Sequence, residues 1–345
     1  MGGKSMRRFI ALGVLAALAL MGLGSVTHAQ PSKIIVYSAL PDLETSLVDR
    51  EFTKRTGIPV EAISVAAAGT IAARITAEKD KPRADIFVGG SADIHAPLAK
   101  IGLLLAYKSP AATEAKLSST YRDPDGYWTG WYLGALSIII NTDRWDREMA
   151  PRRVPKPANW DDLLRPEFRG QFIMPSPITT GAGYIFVAAQ IFRLGEDRAW
   201  QYLRALNANA SQYTPTAPGT ITLMARGEGI VAMQWAHEGI GARLAAQQPL
   251  ETTVPPDTAY EIGSVSIIKG GPNPEGAKAY VDFLMSRTPQ VVNAVYGFRY
   301  PVRSDVAVPM GATPFDQLKF VKYDRQWAID NQTRLRERWT REIGR

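Results

Sequence analysis

An α/β fold in two lobes, a hinged clamshell in outline, is what the sequence predicts, each lobe a mixed sheet flanked by helices and the two joined by crossing strands. Three observations carry it. Between Ile34 and Gly102, apolar runs of strand length alternate with segments of helical period, joined by short turns; that pattern demands right-handed crossovers and a parallel sheet. A second set of strands and helices follows Phe172. Two further apolar runs, Ala135–Asn141 and Ile262–Lys269, sit where the chain must leave one half and return to it. At 345 residues, 46% hydrophobic and 21% charged, the chain is long and apolar enough for such a body.

Taken in order, Ile34–Ser38 is a buried strand bounded by turn chemistry, and Pro41-Asp42 opens a helix through Leu43, Leu47 and Phe52 that Gly57 ends. Pro59–Val65 is the second strand, and Gly69-Thr70 leads a helix carrying Ile71 and Ile75. Asp85–Gly89 is the third strand, followed by a helix from Gly90-Ser-Ala-Asp93 to Gly102. Tyr127–Tyr132 is aromatic and punctuated by glycine, ahead of the strand Ala135–Asn141. Residues 151–157 are surface loop, and Trp160–Leu164 a short helix. Phe172–Met174 ends a strand, after which Thr179 or Thr180 caps a helix with apolar positions 184, 187, 188, 191 and 192. Helices around Trp200 and Ile221, the strand Ile230–Trp235, a helix around Val281 and a terminal helix rich in Arg and Trp complete the chain. The expected divisions are a leader over 1–29, a first lobe of 30–135 with 264–305, and a second of 136–263 with 306–345.

The leader follows from its charge and hydropathy. Lys4, Arg7 and Arg8 precede the apolar run Phe9–Leu23, and Ser25-Val-Thr-His-Ala29 supplies the cut, as in a secretory signal peptide. No cysteine occurs anywhere, which excludes disulfides, zinc–thiolate sites and thiol catalysis. Export without disulfides fits the periplasm. The net charge is +7, with arginines gathered late in the chain beside Glu and Asp, so no nucleic-acid face is expected. His-x-x-x-His, Gly-x-Ser-x-Gly and phosphate-loop signatures are missing.

Candidate binding residues emerge from the turns. Ser38, then Gly69 and Thr70, then Gly90 and Ser91 end successive parallel strands, and such ends share one sheet edge where ligands bind. The segment Pro175-Ser-Pro-Ile-Thr-Thr-Gly-Ala-Gly183 opens a helix, whose unpaired N–H groups suit a phosphate or carboxylate. His237 and Glu238 read as a loop at a strand end facing the cleft, and His95 as a surface or half-buried residue. Trp235, Tyr184 and Trp128 are aromatic candidates, at least two of them expected in the core.

The order of motifs resembles the periplasmic solute-binding proteins of ATP-driven importers, in the branch holding ferric-ion-binding and hexose-phosphate-binding members. Its markers are Ala84-Asp-Ile-Phe-Val88, the 175–183 segment, Met224-Ala-Arg-Gly-Glu228, and Tyr260-Glu-Ile-Gly263 ahead of Ser266-Ile-Ile-Lys-Gly270. The resemblance runs from Ile34 to about Arg303. Ferric members carry two adjacent tyrosines; this chain has Gln234-Trp-Ala-His-Glu238 in their place and no Tyr-Tyr pair. Similarity to the sugar-phosphate members instead implies that His237, Glu238 and Glu261 hold hydroxyls. It implies also that Ser38, Gly69, Thr70, Thr179, Thr180, Gly181 and Ala182 hold phosphate. The expectation is a binding protein without cofactor, monomeric, taking a small anionic solute to an inner-membrane ABC permease. Ferric iron as cargo, and a metal-assisted hydrolase using His237, Glu238 and Glu261, are the alternatives.

Overall fold

The protein is described by a computed structural model covering residues 32–65 and 67–344; the leader expected over 1–29 lies outside the described residues. Three parallel strands open the chain: β1 (Ile34–Ser38), β2 (Val60–Ser64) and β3 (Ile86–Ser91). Helices α1 (Asp42–Thr56) and α2 (Ala68–Ala77) run between them, and α3 (Ala92–Lys100) follows β3. Side chains alternate across a strand, so β1 feeds two cores. Ile34 and Val36 join Phe52 of α1, while Tyr37 joins Ile71 and Ile75 of α2 and Leu98 of α3. Both faces are therefore covered, as a parallel sheet requires.

One strand then serves both halves of the sheet. β5 (Thr129–Asn141) is 13 residues long and buried throughout. The short strand β4 (Leu104–Leu105) precedes it and pairs with β10 (Tyr260–Ile268). The first part of β5 lies antiparallel to β10, and its later part to β8 (Val231–Trp235) and β9 (Leu250–Thr253). The sequence breaks this strand at Gly134, reading an aromatic loop and then a strand; the structure joins the two. The second half continues through β6 (Phe172–Pro175) and β7 (Ala210–Thr214), in the order β5-β8-β6-β7. Strand β7 has no counterpart in the sequence reading. Beyond β10, β11 (Tyr300–Pro301) returns to β5 at Tyr132 and Leu133.

The longer helices that follow are α4 (Gly181–Leu194), α5 (Glu196–Asn207), α6 (Ala217–Ala225), α7 (Ala236–Leu244), α8 (Pro274–Leu284), α9 (Arg287–Tyr296), α10 (Arg325–Asp330) and α11 (Gln332–Glu342). Leu335 and Trp339 of α11 enter the core beneath α4, and the Tyr184 hydroxyl donates to the Ala328 carbonyl. The same terminal segment reaches α3 in the first half through the Arg325–Asp93 and Lys100–Asp330 ion pairs. Among the described residues no helix is long and apolar enough to cross a membrane.

Candidate functional site

Six helix starts meet at one cavity of about 390 Å³ between the halves of the sheet. Its wall includes Pro41 and Asp42 at the start of α1, Ala67 and Ala68 at α2, Ser91 at α3, Thr180, Gly181 and Ala182 at α4, Ala217 and Pro218 at α6, and His237 and Glu238 at α7. This arrangement is what parallel β-loop-α units produce, because every crossover puts a helix N-terminus at the same sheet edge. Thr180 caps α4 by accepting from the Gly183 N–H at 3.1 Å, and Thr216 caps α6 at Gly219. The starts of α1, α2, α3 and α7 have no side-chain cap. At α1, α2 and α3 the N–H groups and partial positive charge are left for an anion, whereas the first turn of α7 carries Glu238. Ser91 Oγ, fully buried, has no partner. A methyl placed on Gly181 would lie 3.2 Å from that oxygen, so α3 and α4 face each other across a narrow gap.

Another part of the wall is acidic. Glu261 enters from β10 and His237 with Glu238 from the first turn of α7, which makes this a helix start and not the expected loop. Their room is made on β5, where a Cβ on Gly134 would fall 2.8 Å from His237 Nδ1 and 3.0 Å from Glu261 Oε1. His237 Nε2 stands 3.6 Å from Glu238 Oε1, while Nδ1 is buried and unpartnered. Burial, then the charge of Arg299, pushes His237 down to about 4, so the imidazole is neutral and free to donate or accept. Burial pushes Glu261 up to about 8, with Arg299 pulling against it and Glu238 adding to it. Glu238 meets the same desolvation, but His237 and Arg299 outweigh it and hold its carboxyl below the ordinary value.

Sequence reasoning passed over two residues of this wall, Tyr132 and Arg299. Arg299 precedes β11, is buried, and pairs with the equally buried Glu44 of α1. Tyr132 lies under its guanidinium, with Cζ 5.0 Å from the ring centroid. Nothing local marks either one, since Phe298-Arg-Tyr-Pro301 reads as an ordinary turn. A second, outer cavity of about 500 Å³ shares Pro41, His237, Glu238 and Arg299 with the first, so these four side chains form the partition between them.

Of the residues singled out by sequence, Ser91, Thr180, Gly181, Ala182, His237, Glu238 and Glu261 come together on this cavity. Four others lie off its wall. The Ser38 hydroxyl is fully buried, shared with Thr45 Oγ1 at 2.9 Å and accepting from the Leu40 N–H, so it braces the start of α1. Gly69 and Thr70 fall inside the first turn of α2, which begins at Ala68; Thr70 is exposed and Gly69 lies against the Thr179 carbonyl. Thr179 turns its hydroxyl to the Pro215 carbonyl at 2.8 Å. Trp235 lines the cavity, whereas Tyr184 and Trp128 are core residues. His95, expected near the surface, is fully buried, stacked on Phe87 and bonded to Ser266 Oγ and the Gly89 carbonyl. Among the described residues no group of three His, Cys, Asp or Glu side chains could hold a metal ion.

Comparison with known proteins gives these features a context. The profile of the bacterial extracellular solute-binding proteins matches residues 81–326. An uncharacterized Haemophilus influenzae protein is 30% identical over 97% of this chain and 97% of its own. The putative 2-aminoethylphosphonate-binding periplasmic protein of Salmonella typhimurium is 26% identical over 89% of this chain and 88% of its own. The periplasmic binding protein AfuA of Actinobacillus pleuropneumoniae, solved with exogenous fructose-6-phosphate bound, superposes with a TM-score of 0.84 at 28% identity, covering 91% of this chain and 99% of AfuA.

Proposed function

Because the chain belongs to the bacterial extracellular solute-binding protein family, whose members bind solutes and are not enzymes, we propose that it is the periplasmic receptor of an ABC importer for a small phosphorylated or phosphonate-like polyol. One observation carries the reading: the uncapped starts of α1, α2 and α3 gather on a cavity that His237, Glu238 and Glu261 also line. The anionic group sits on the amide N–H groups and Ser91 Oγ. Carboxylates repel a phosphate but accept from hydroxyls, so the acidic wall takes the ligand's other end. The lobes, 30–135 with 264–305 and 136–263 with 306–345, close around the solute by bending at β5 and β10. The monomeric receptor, exported by its leader, then presents the solute to a membrane permease.

Calorimetry and thermal unfolding with fructose 6-phosphate, 2-aminoethylphosphonate and inorganic phosphate test this. A ligand present at a hundred times its Kd stabilises the folded state by about 2.7 kcal/mol, a shift of several degrees in Tm. If none of the three stabilises the protein, the reading is wrong. Ferric iron is disfavoured because the cavity wall among the described residues carries one tyrosine, the buried Tyr132, where a phenolate pair is needed.

A further inference from the structure

The acidic wall contains an arginine that an account of hydroxyl recognition does not require. Arg299 and Glu44 form an ion pair that is 4% and 2% exposed. A pair so buried adds little to stability, since desolvating two charges offsets their attraction, and its presence calls for another reason. Arg299 is also held in place elaborately. Its guanidinium rests over Tyr132, and Nη2 stands 3.7 Å from Glu238 Oε1. The preceding Phe298 has a φ of 53°, a backbone state in which a bulky residue is strained. The Phe298 ring is wedged against Ala236 and Ile240 of α7, so the turn that carries the arginine is anchored on the helix that carries Glu238. Nε is buried with no partner.

We propose that Arg299 is the specificity-determining residue of the cavity: it sets the charge of the acidic wall so that a hydroxylated ligand end is admitted and an ammonium end refused. The inference rests on the reading of the site as an anion receptor. An ammonium is a donor only, and beside Glu238 and Glu261 it would face the fixed guanidinium. A hydroxyl both donates and accepts. It can give its proton to a carboxylate or to His237 Nδ1 and accept from Arg299 Nε, both wall nitrogens being without partners. With Arg299 and its partner Glu44 both replaced, the Glu238 carboxylate stays and no guanidinium stands near it, so an ammonium becomes the better occupant.

Matched ligands read this directly: 2-hydroxyethylphosphonate against 2-aminoethylphosphonate, and glucose 6-phosphate against glucosamine 6-phosphate. Each pair exchanges a hydroxyl for an ammonium. Arg299→Gln alone strands the Glu44 charge and endangers folding, so Glu44→Gln/Arg299→Gln is measured beside it and beside Arg299→Lys. The wild type should bind the hydroxyl member at least about tenfold more tightly in the pair it accepts. The double variant should lower that ratio by about tenfold or invert it, and Arg299→Lys should keep its sign. A folded double variant with an unchanged ratio, or a wild type that favours the ammonium, overturns the role of Arg299 and leaves the anion receptor standing. A wild type that binds none of the four ligands removes both.

Discussion

Gly69→Ala separates ligand binding from folding. In the structure Gly69, near the start of α2, lies against the Thr179 carbonyl in the turn before α4, and an added Cβ would stand 2.8 Å from that oxygen. Both partners are backbone, so neither can swing away. Reaching ordinary contact near 3.4 Å requires α2 and the 176–180 turn to separate by about 0.6 Å. Overpacking of this kind costs about 1–3 kcal/mol. The two segments belong to opposite halves of the sheet, so the cost falls on the closed arrangement alone. Affinity should drop by about 5- to 150-fold. In the ligand-free protein the same change replaces a helical glycine by alanine, worth up to about 1 kcal/mol in favour of the helix. Calorimetry with fructose 6-phosphate and thermal unfolding without ligand give the two readings. Unchanged affinity would mean that the Gly69–Thr179 contact is no part of the bound state; a lowered Tm without ligand would mean that it belongs to the fold.

Two other outcomes follow from the same geometry. Ser91→Ala removes a buried hydroxyl that has no partner, so Tm without ligand should hold or rise slightly, while one hydrogen bond to the anion is lost. Bonds to charged groups are worth about 1.5–3 kcal/mol, and titration should show affinity down by about tenfold or more. Glu261, raised to about 8 by burial, keeps a proton in the folded chain that the unfolded chain has released. Its stability contribution is therefore lost as pH rises toward 8. His237 and His95, lowered by burial to about 4, act in the opposite sense but are spent above their ordinary value of 6.5. Tm of the ligand-free protein should fall between pH 6.5 and 8, and Glu261→Gln should flatten that fall.

The parallel half of the fold was legible because each of its elements carries its own signal. Ile34–Ser38 is a bare apolar run, Gly57 stops α1 in a left-handed turn, and Thr180 caps α4. The site was legible only where chain direction and helix starts determine it. Ser38 has the composition of a ligand contact, but Thr45, seven residues on in α1, takes its hydroxyl. β5 was read in two pieces because Gly134 resembles punctuation. That glycine answers to His237 and Glu261, residues more than a hundred positions later, and no local pattern records such a demand. Arg299 was missed for the same reason, since its meaning depends on Glu44, 255 residues earlier. Residue type and spacing report on turns and periods; they do not report which distant side chains a fold brings within reach.

The 13-residue strand β5 has a consequence for how the molecule comes apart. A clamshell is commonly pictured as two bodies tied by a thread, each free to melt alone. Here the tie is itself a central plank of both sheets, fully buried and hydrogen-bonded along its length to β10, β8 and β9. Tearing out either end strips the neighbouring half of its middle strand, so calorimetry should show the two halves melting together, and a solute held in the gap should guard the entire chain.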